Sequence, residues 1–276
     1  MDQPNTGALN LRPMGIGDIL DTTLRLYKRN FASFLSIALI TYVPYAIVMF
    51  LLHMAFDGES QINRTPYGDY EMPGDGEYVI NLLGFVILFL FVYPLTTGAL
   101  TYAISGTFLG QPLGAGAAYS RAAGRAGALI GTQFLVTLVV LLGFLLLVVP
   151  GIIFSLWFMI VPTVVLLEKI GGPSALGRAK ALMKGNVGKG FALNLVVGLL
   201  VTVITYAVMF GIGYVVGMIG LPAAIIDLAA NLLSAFFLPV QLAVIVLLYY
   251  DLRIRKEAFD LQMLSASLPG GEPSTA

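Results

Sequence analysis

The stretch GIGDILDTTLRLYKRNFASFLSIALITYVPYAIVMFLLHMAF, Gly15 to Phe56, decides the fold class. Its first half is amphipathic. Ile16, Ile19, Leu20, Thr23, Leu24 and Tyr27 recur at helical spacing, and Arg25, Lys28 and Arg29 occupy the other side. Its second half, Phe31 to Phe56, holds no Asp, Glu, Lys or Arg. A helix that crosses a bilayer needs roughly 20 apolar residues. The run is too long for the apolar core of a secretory signal, which is roughly 7–15 residues. One surface helix followed directly by one membrane span is therefore the expected unit.

Five more apolar runs follow: Tyr78–Phe108, Leu129–Val149, Ile152–Leu167, Phe191–Ile219 and Ala223–Tyr250. Charged residues make up 11% of the chain and hydrophobic residues 58%. A soluble domain carries roughly 25% charge, so most of this surface must face lipid. The fold class that follows is an all-α integral membrane protein with six spans in one domain, residues 1–263, and a polar, disordered tail, 264–276. Pro150-Gly151 and Gly220-Leu221-Pro222 read as tight turns, and the acidic loop 57–77 joins the first two runs. The spans then form three hairpins. Pro44, Pro94, Pro162 and Pro239 each remove a backbone donor inside a run and are expected to kink it.

The chain has 15 Lys and Arg residues, and all but Arg64 lie at the termini or in the connections between runs two and three and runs four and five. Such residues resist translocation and stay cytoplasmic. Both termini are therefore expected on the cytoplasmic side of a plasma (inner) membrane. The loop 57–77 carries Asp57, Glu59, Asp69, Glu71, Asp75 and Glu77 against Arg64 alone.

Each hairpin follows a basic amphipathic segment, about 15–30, 113–127 and 173–186. The first and third share a pattern, Leu26-Tyr27-Lys28-Arg29-Asn30 against Leu182-Met183-Lys184-Gly185-Asn186. The chain thus reads as three repeats of a basic helix and a hairpin. A basic helix with one apolar face lies in the membrane interface. Its charges are attracted to anionic lipid by about 1 kcal/mol each. Anchoring is one reading of these segments, and docking of an acidic partner or lipid headgroup is the other. The candidate docking residues are Arg25, Lys28, Arg29, Arg178, Lys180 and Lys184, with Arg253, Arg255 and Lys256 beyond the last run.

Intramembrane charge, which often marks function, is nearly absent. Asp227 is the one acid inside a run. It reads as a helix N-terminal acid or as a proton or cation site with Asn231 and Asn194 as neighbours. There is no cysteine and one histidine, His53, so thiolate chemistry and Cys-type metal sites are excluded. No catalytic residue, cofactor or metal is expected, and no nucleic-acid partner.

Three stretches carry a resemblance: LRPMGIGDILDTTLRLYKRNF, Leu11–Phe31; PGIIFSLWFMIVPTVVLLE, Pro150–Glu168; and YYDLRIRKEAFDLQ, Tyr249–Gln262. Together they resemble the bacterial membrane-domain family named for its occurrence beside glycerophosphodiester phosphodiesterase catalytic domains. The resemblance implies a multi-pass membrane domain and carries no phosphodiesterase activity over, because that chemistry needs paired histidines and acidic metal ligands. In the third stretch, Asp251/Arg255, Arg253/Glu257 and Lys256/Asp260 are spaced for ion pairs along a helix. Leu252, Phe259 and Leu261 are available to pack on a surface helix. The expected function is that of a non-enzymatic scaffold, anchor or accessory subunit. Its expected partners are anionic membrane lipids and other subunits of a membrane complex. A transporter or channel for a small solute or ion, and a lipid-handling protein, are the alternatives.

Overall fold

The computed structural model describes residues 12–60, 75–222 and 224–258. Most of the acidic loop, the tail, Arg64, Phe259, Asp260 and Leu261 lie outside them. Every regular element among the described residues is helical. In chain order they are α1 (Ile16–Arg29), α2 (Phe31–Ser60), α3 (Asp75–Ile87), a π-helical turn (Leu88–Val92) and α4 (Tyr93–Phe108). Then follow α5 (Ala115–Ala123), α6 (Ala126–Leu146), α7 (Val148–Phe158), α8 (Val161–Leu167), α9 (Gly172–Met183), α10 (Val187–Ile219) and α11 (Ala224–Glu257). Six segments are long and apolar enough to cross a membrane: Phe31–Ala55, Tyr78–Phe108, Ala126–Leu146, Val148–Leu167, Val187–Ile219 and Ala224–Glu257.

The third and fourth spans meet at a different place from the one their sequence suggests. The turn is Leu147, whose backbone is extended (φ −163°, ψ 153°). Pro150 and Gly151 lie in the first turn of α7 instead. Proline is tolerated there because the first amides of a helix have no intrahelical acceptor. Glycine is required for the crossing. A Cβ on Gly143 would come within 3.0 Å of the Gly151 Cα and 2.7 Å of the Phe154 ring. At the other short connection Gly220 takes φ +67°, closing α10 with the Leu221 amide donating to the Val216 carbonyl.

The prolines act in two ways. Pro94 and Pro162 begin new helices, α4 and α8, after a π-helical turn and after a break at Met159–Ile160. The π turn moves the Tyr93 amide onto the Leu88 carbonyl, so the ladder continues past the donor that Pro94 lacks. Pro44 and Pro239 lie inside continuous helices.

The core is concentrated at one end of the bundle. From Leu242 to Leu252 every residue of α11 is buried except half-buried Ile245, and Thr96–Thr101 and Val161, Val164, Val165 and Leu166 join it. The far ends are bare: Leu145 is 81% exposed and Phe210 80%. In the most apolar stretch of the sixth span 61% of residues are buried, against 11% in the fifth. Bare apolar ends are stable in lipid, where side-chain exposure is not penalised as in water.

The segments expected to lie on the membrane surface pack against other helices of the chain. In α1, Ile19, Thr23 and Tyr27 are buried. The Tyr27 hydroxyl donates to the Phe236 carbonyl at 2.9 Å, and its ring meets Phe31 and Phe236 edge-on. In α5, shorter than the expected 113–127, Ala118 and Ala122 are buried, and Ala122 lies so close to Gly98 that a Cβ there would come within 2.8 Å. In α9, Ala175, Leu176, Ala179, Leu182 and Met183 are buried.

Candidate functional site

The core-bearing end of the bundle is also the charged end, and its charges form two linked nodes. The first centres on Asp251, which is 0% exposed. A buried carboxylate is costly unless its lone pairs are filled. Here Oδ1 accepts from the Met14 amide at 2.6 Å and from Arg255 Nε at 3.0 Å. Oδ2 accepts from Lys189 Nζ at 2.5 Å and from Arg255 Nε at 3.1 Å. Lys189 and Arg255 also donate to the Met14 carbonyl, at 2.5 and 2.9 Å. One backbone unit ahead of α1 is thus clamped at both its amide and its carbonyl, by side chains from the start of α10 and the end of α11.

The second node centres on Arg178 in α9. Its Nε and Nη2 reach the two oxygens of Glu168 at 2.7 and 3.0 Å, and its Nη1 pairs with Glu257. These bonds push the Arg178 pKa further up, Glu257 contributing most. Glu257 also accepts from Arg253 at 3.0 Å, and Tyr249 donates to Glu168 at 3.1 Å. Lys256 donates to the Ala181 and Lys184 carbonyls, both at 2.6 Å, closing the C-terminal end of α9. Lys180 lies 4.6 Å from the Trp157 ring centroid.

The expected docking cations therefore divide. Arg178, Lys180, Arg253, Arg255 and Lys256 bind parts of the chain itself. Arg178, Arg253 and Arg255 are held because Glu168, Glu257 and Asp251 are half-buried or buried acids that would otherwise be desolvated without compensation. Arg25, Lys28, Arg29 and Lys184 stay exposed, Arg25 in a surface pair with Asp21 at 2.7 Å. The i,i+4 spacing correctly indicates Asp251/Arg255 and Arg253/Glu257. It misses Lys189, Glu168 and the Met14 backbone, which lie far away in sequence. Lys189 lies in Gly185–Gly190, a stretch with no charge at i,i+4 spacing to point to its partner.

The polar residues of the spans are not brought together as a site. Asn231 donates to the backbone carbonyl of Asp227 at 2.9 Å, and Asp227 lies in the first turn of α11, where the helix dipole favours an anion. Asn194 is near the opposite end of α10, which runs antiparallel to α11. The 25 residues from Asn194 to Ile219, less the three from Ala224 back to Asp227, put about 33 Å between them along the helix axes.

A cleft of about 350 Å³ opens beside the first node, lined by Arg12, Met14, Asp18, Asp21, Arg25 and Phe108, among others. No family model, curated protein or solved structure matches the chain.

Proposed function

We propose that this chain is a non-enzymatic multi-pass protein of the inner (plasma) membrane, with both termini cytoplasmic. It acts as a scaffold, anchor or accessory subunit of a membrane complex, and as a relative of the membrane-domain family that it resembles. The observation that carries the reading is the exposed face of α1. There Arg25, Lys28 and Arg29 stand beside the exposed apolar side chains of Ile16, Leu24 and Phe31, while most other basic groups of that end are bound internally. Cations beside apolar side chains suit the boundary between headgroups and acyl chains. The same face suits an acidic subunit docking at that boundary, and the excess of Lys and Arg at this end supports its cytoplasmic orientation.

The test is reversal of three charges, Arg25→Glu, Lys28→Glu and Arg29→Glu, followed by gentle extraction and mass spectrometry of what leaves the membrane with the protein. Loss of a stoichiometric partner, or of bound anionic lipid, is expected. Full retention of every co-purifying molecule sinks the docking role. Arg178 and Arg255 are unsuited to this test, since reversing them breaks the charged nodes.

A further inference from the structure

Threonine in a buried helix usually satisfies its hydroxyl on the carbonyl four residues back. Thr96, Thr107, Thr132 and Thr137 all do so, at 2.6 to 2.9 Å. Thr97 and Thr101 do not. They are 1% and 0% exposed, and neither hydroxyl has a hydrogen-bond partner. They sit one turn apart on the same face of α4 and are flanked on it by two more hydroxyl residues. Tyr93 stands a turn before Thr97, with its side chain close to that hydroxyl. Ser105 stands a turn after Thr101 and is bonded to the Tyr250 hydroxyl of α11 at 2.6 Å. Four consecutive turns of one face thus carry hydroxyls over 12 residues, about 18 Å. The middle two have no hydrogen-bond partner within the chain.

Residues four apart on a helix stand about 5–6 Å from one another, and a hydroxyl bonds oxygen at about 2.8 Å. One water molecule midway between Thr97 and Thr101 therefore reaches both. Main-chain carbonyls of α4, each with a second lone pair, supply the third partner that buried water commonly has. We propose that the hydroxyl face of α4 is an internal water-binding site, with a water bridging Thr97 and Thr101. That water extends the polar face of α4 toward the Ser105–Tyr250 pair, next to the charged nodes. The ligand is water itself.

A dry and a hydrated site respond oppositely to Thr101→Val, which keeps the shape and removes the hydroxyl. In a dry site the change deletes a desolvated group and raises the thermal midpoint of unfolding. In a hydrated site it strands the water and lowers the midpoint. The expected order is parent close to Thr101→Ser, both above Thr101→Val, with Thr97→Val behaving alike. A Val variant more stable than both the parent and the Ser variant overturns the proposal. A second measurement uses the unaltered protein: radiolytic hydroxyl-radical footprinting, in which bound internal water marks neighbouring side chains. Oxidation of buried Tyr250 in the folded state is expected. Labelling confined to exposed residues overturns the proposal even if the variants fail to fold.

Discussion

Asp251→Asn keeps the side chain's shape and one carbonyl oxygen for the Met14 amide, and removes the charge that Lys189 and Arg255 face. The parent carboxylate is 0% exposed and the Lys189 side chain 14%, so water cannot take over. Breaking a buried pair by neutralising one partner costs about 3–5 kcal/mol. Arg255, at 39% exposed, recovers part of its hydration, which favours the lower end. A loss of about 3 kcal/mol follows, more than a hundredfold in the folding equilibrium. The assay is reversible unfolding in mixed micelles with a rising fraction of denaturing detergent, read by fluorescence. The chain has one tryptophan, Trp157, stacked under Lys180 near the second node, so the signal reports on the charged end. Lys189→Met should cost a similar amount, and the double variant at least about 1 kcal/mol less than the sum, as coupled sites do. An Asp251→Asn protein within about 1 kcal/mol of the parent, or strictly additive losses, would refute the view that this node holds the end together.

Arg178→Lys replaces a planar fork that grips Glu168 and Glu257 at once with a single point charge. A loss of about 1–2 kcal/mol is expected in the same assay, since the guanidinium is 28% exposed and partly screened, and unchanged stability counts against a role for the second node. Gly143→Ala forces the α6–α7 crossing apart and should cost about 1–3 kcal/mol. Gly131→Ala on the same helix meets nothing within 4 Å and should be neutral or slightly stabilising. Equal effects of the two would remove the packing explanation.

Hydropathy alone places all six apolar segments, because length and lack of charge are local properties of the chain. The ends of the segments are less legible. Pro150-Gly151 is a turn signal by composition, yet the turn falls at Leu147, because a proline fits a first helical turn and the glycine is needed where two backbones cross. The three basic segments are visible as helices, but their depth of burial is not. Ala118 and Ala122 look like weak surface residues until Gly98 is seen opposite. The largest gap concerns charge. A count of Lys and Arg treats each as available, whereas availability also depends on acceptors far along the chain, 62 residues away for Lys189 and Asp251 and 75 for Lys256 and Ala181. Among the described residues, Lys28 and Arg29 of α1 and Lys184 just past α9 keep the exposure that their sequence suggests. Asp227 and Asn194 show the converse error, since both lie in apolar runs but at opposite ends of them.

The unequal burial along the spans has a mechanical consequence. The far parts of α6, α7 and α10 are held by few neighbours of their own chain, so tilting them sacrifices little. A bilayer that thickens or thins can be matched there, at a cost of fractions of a kcal/mol per Å, while the ion-paired end stays rigid. Such a molecule is a clamp with compliant prongs. Its fixed end keeps one shape, and its loose end follows the membrane in which it sits.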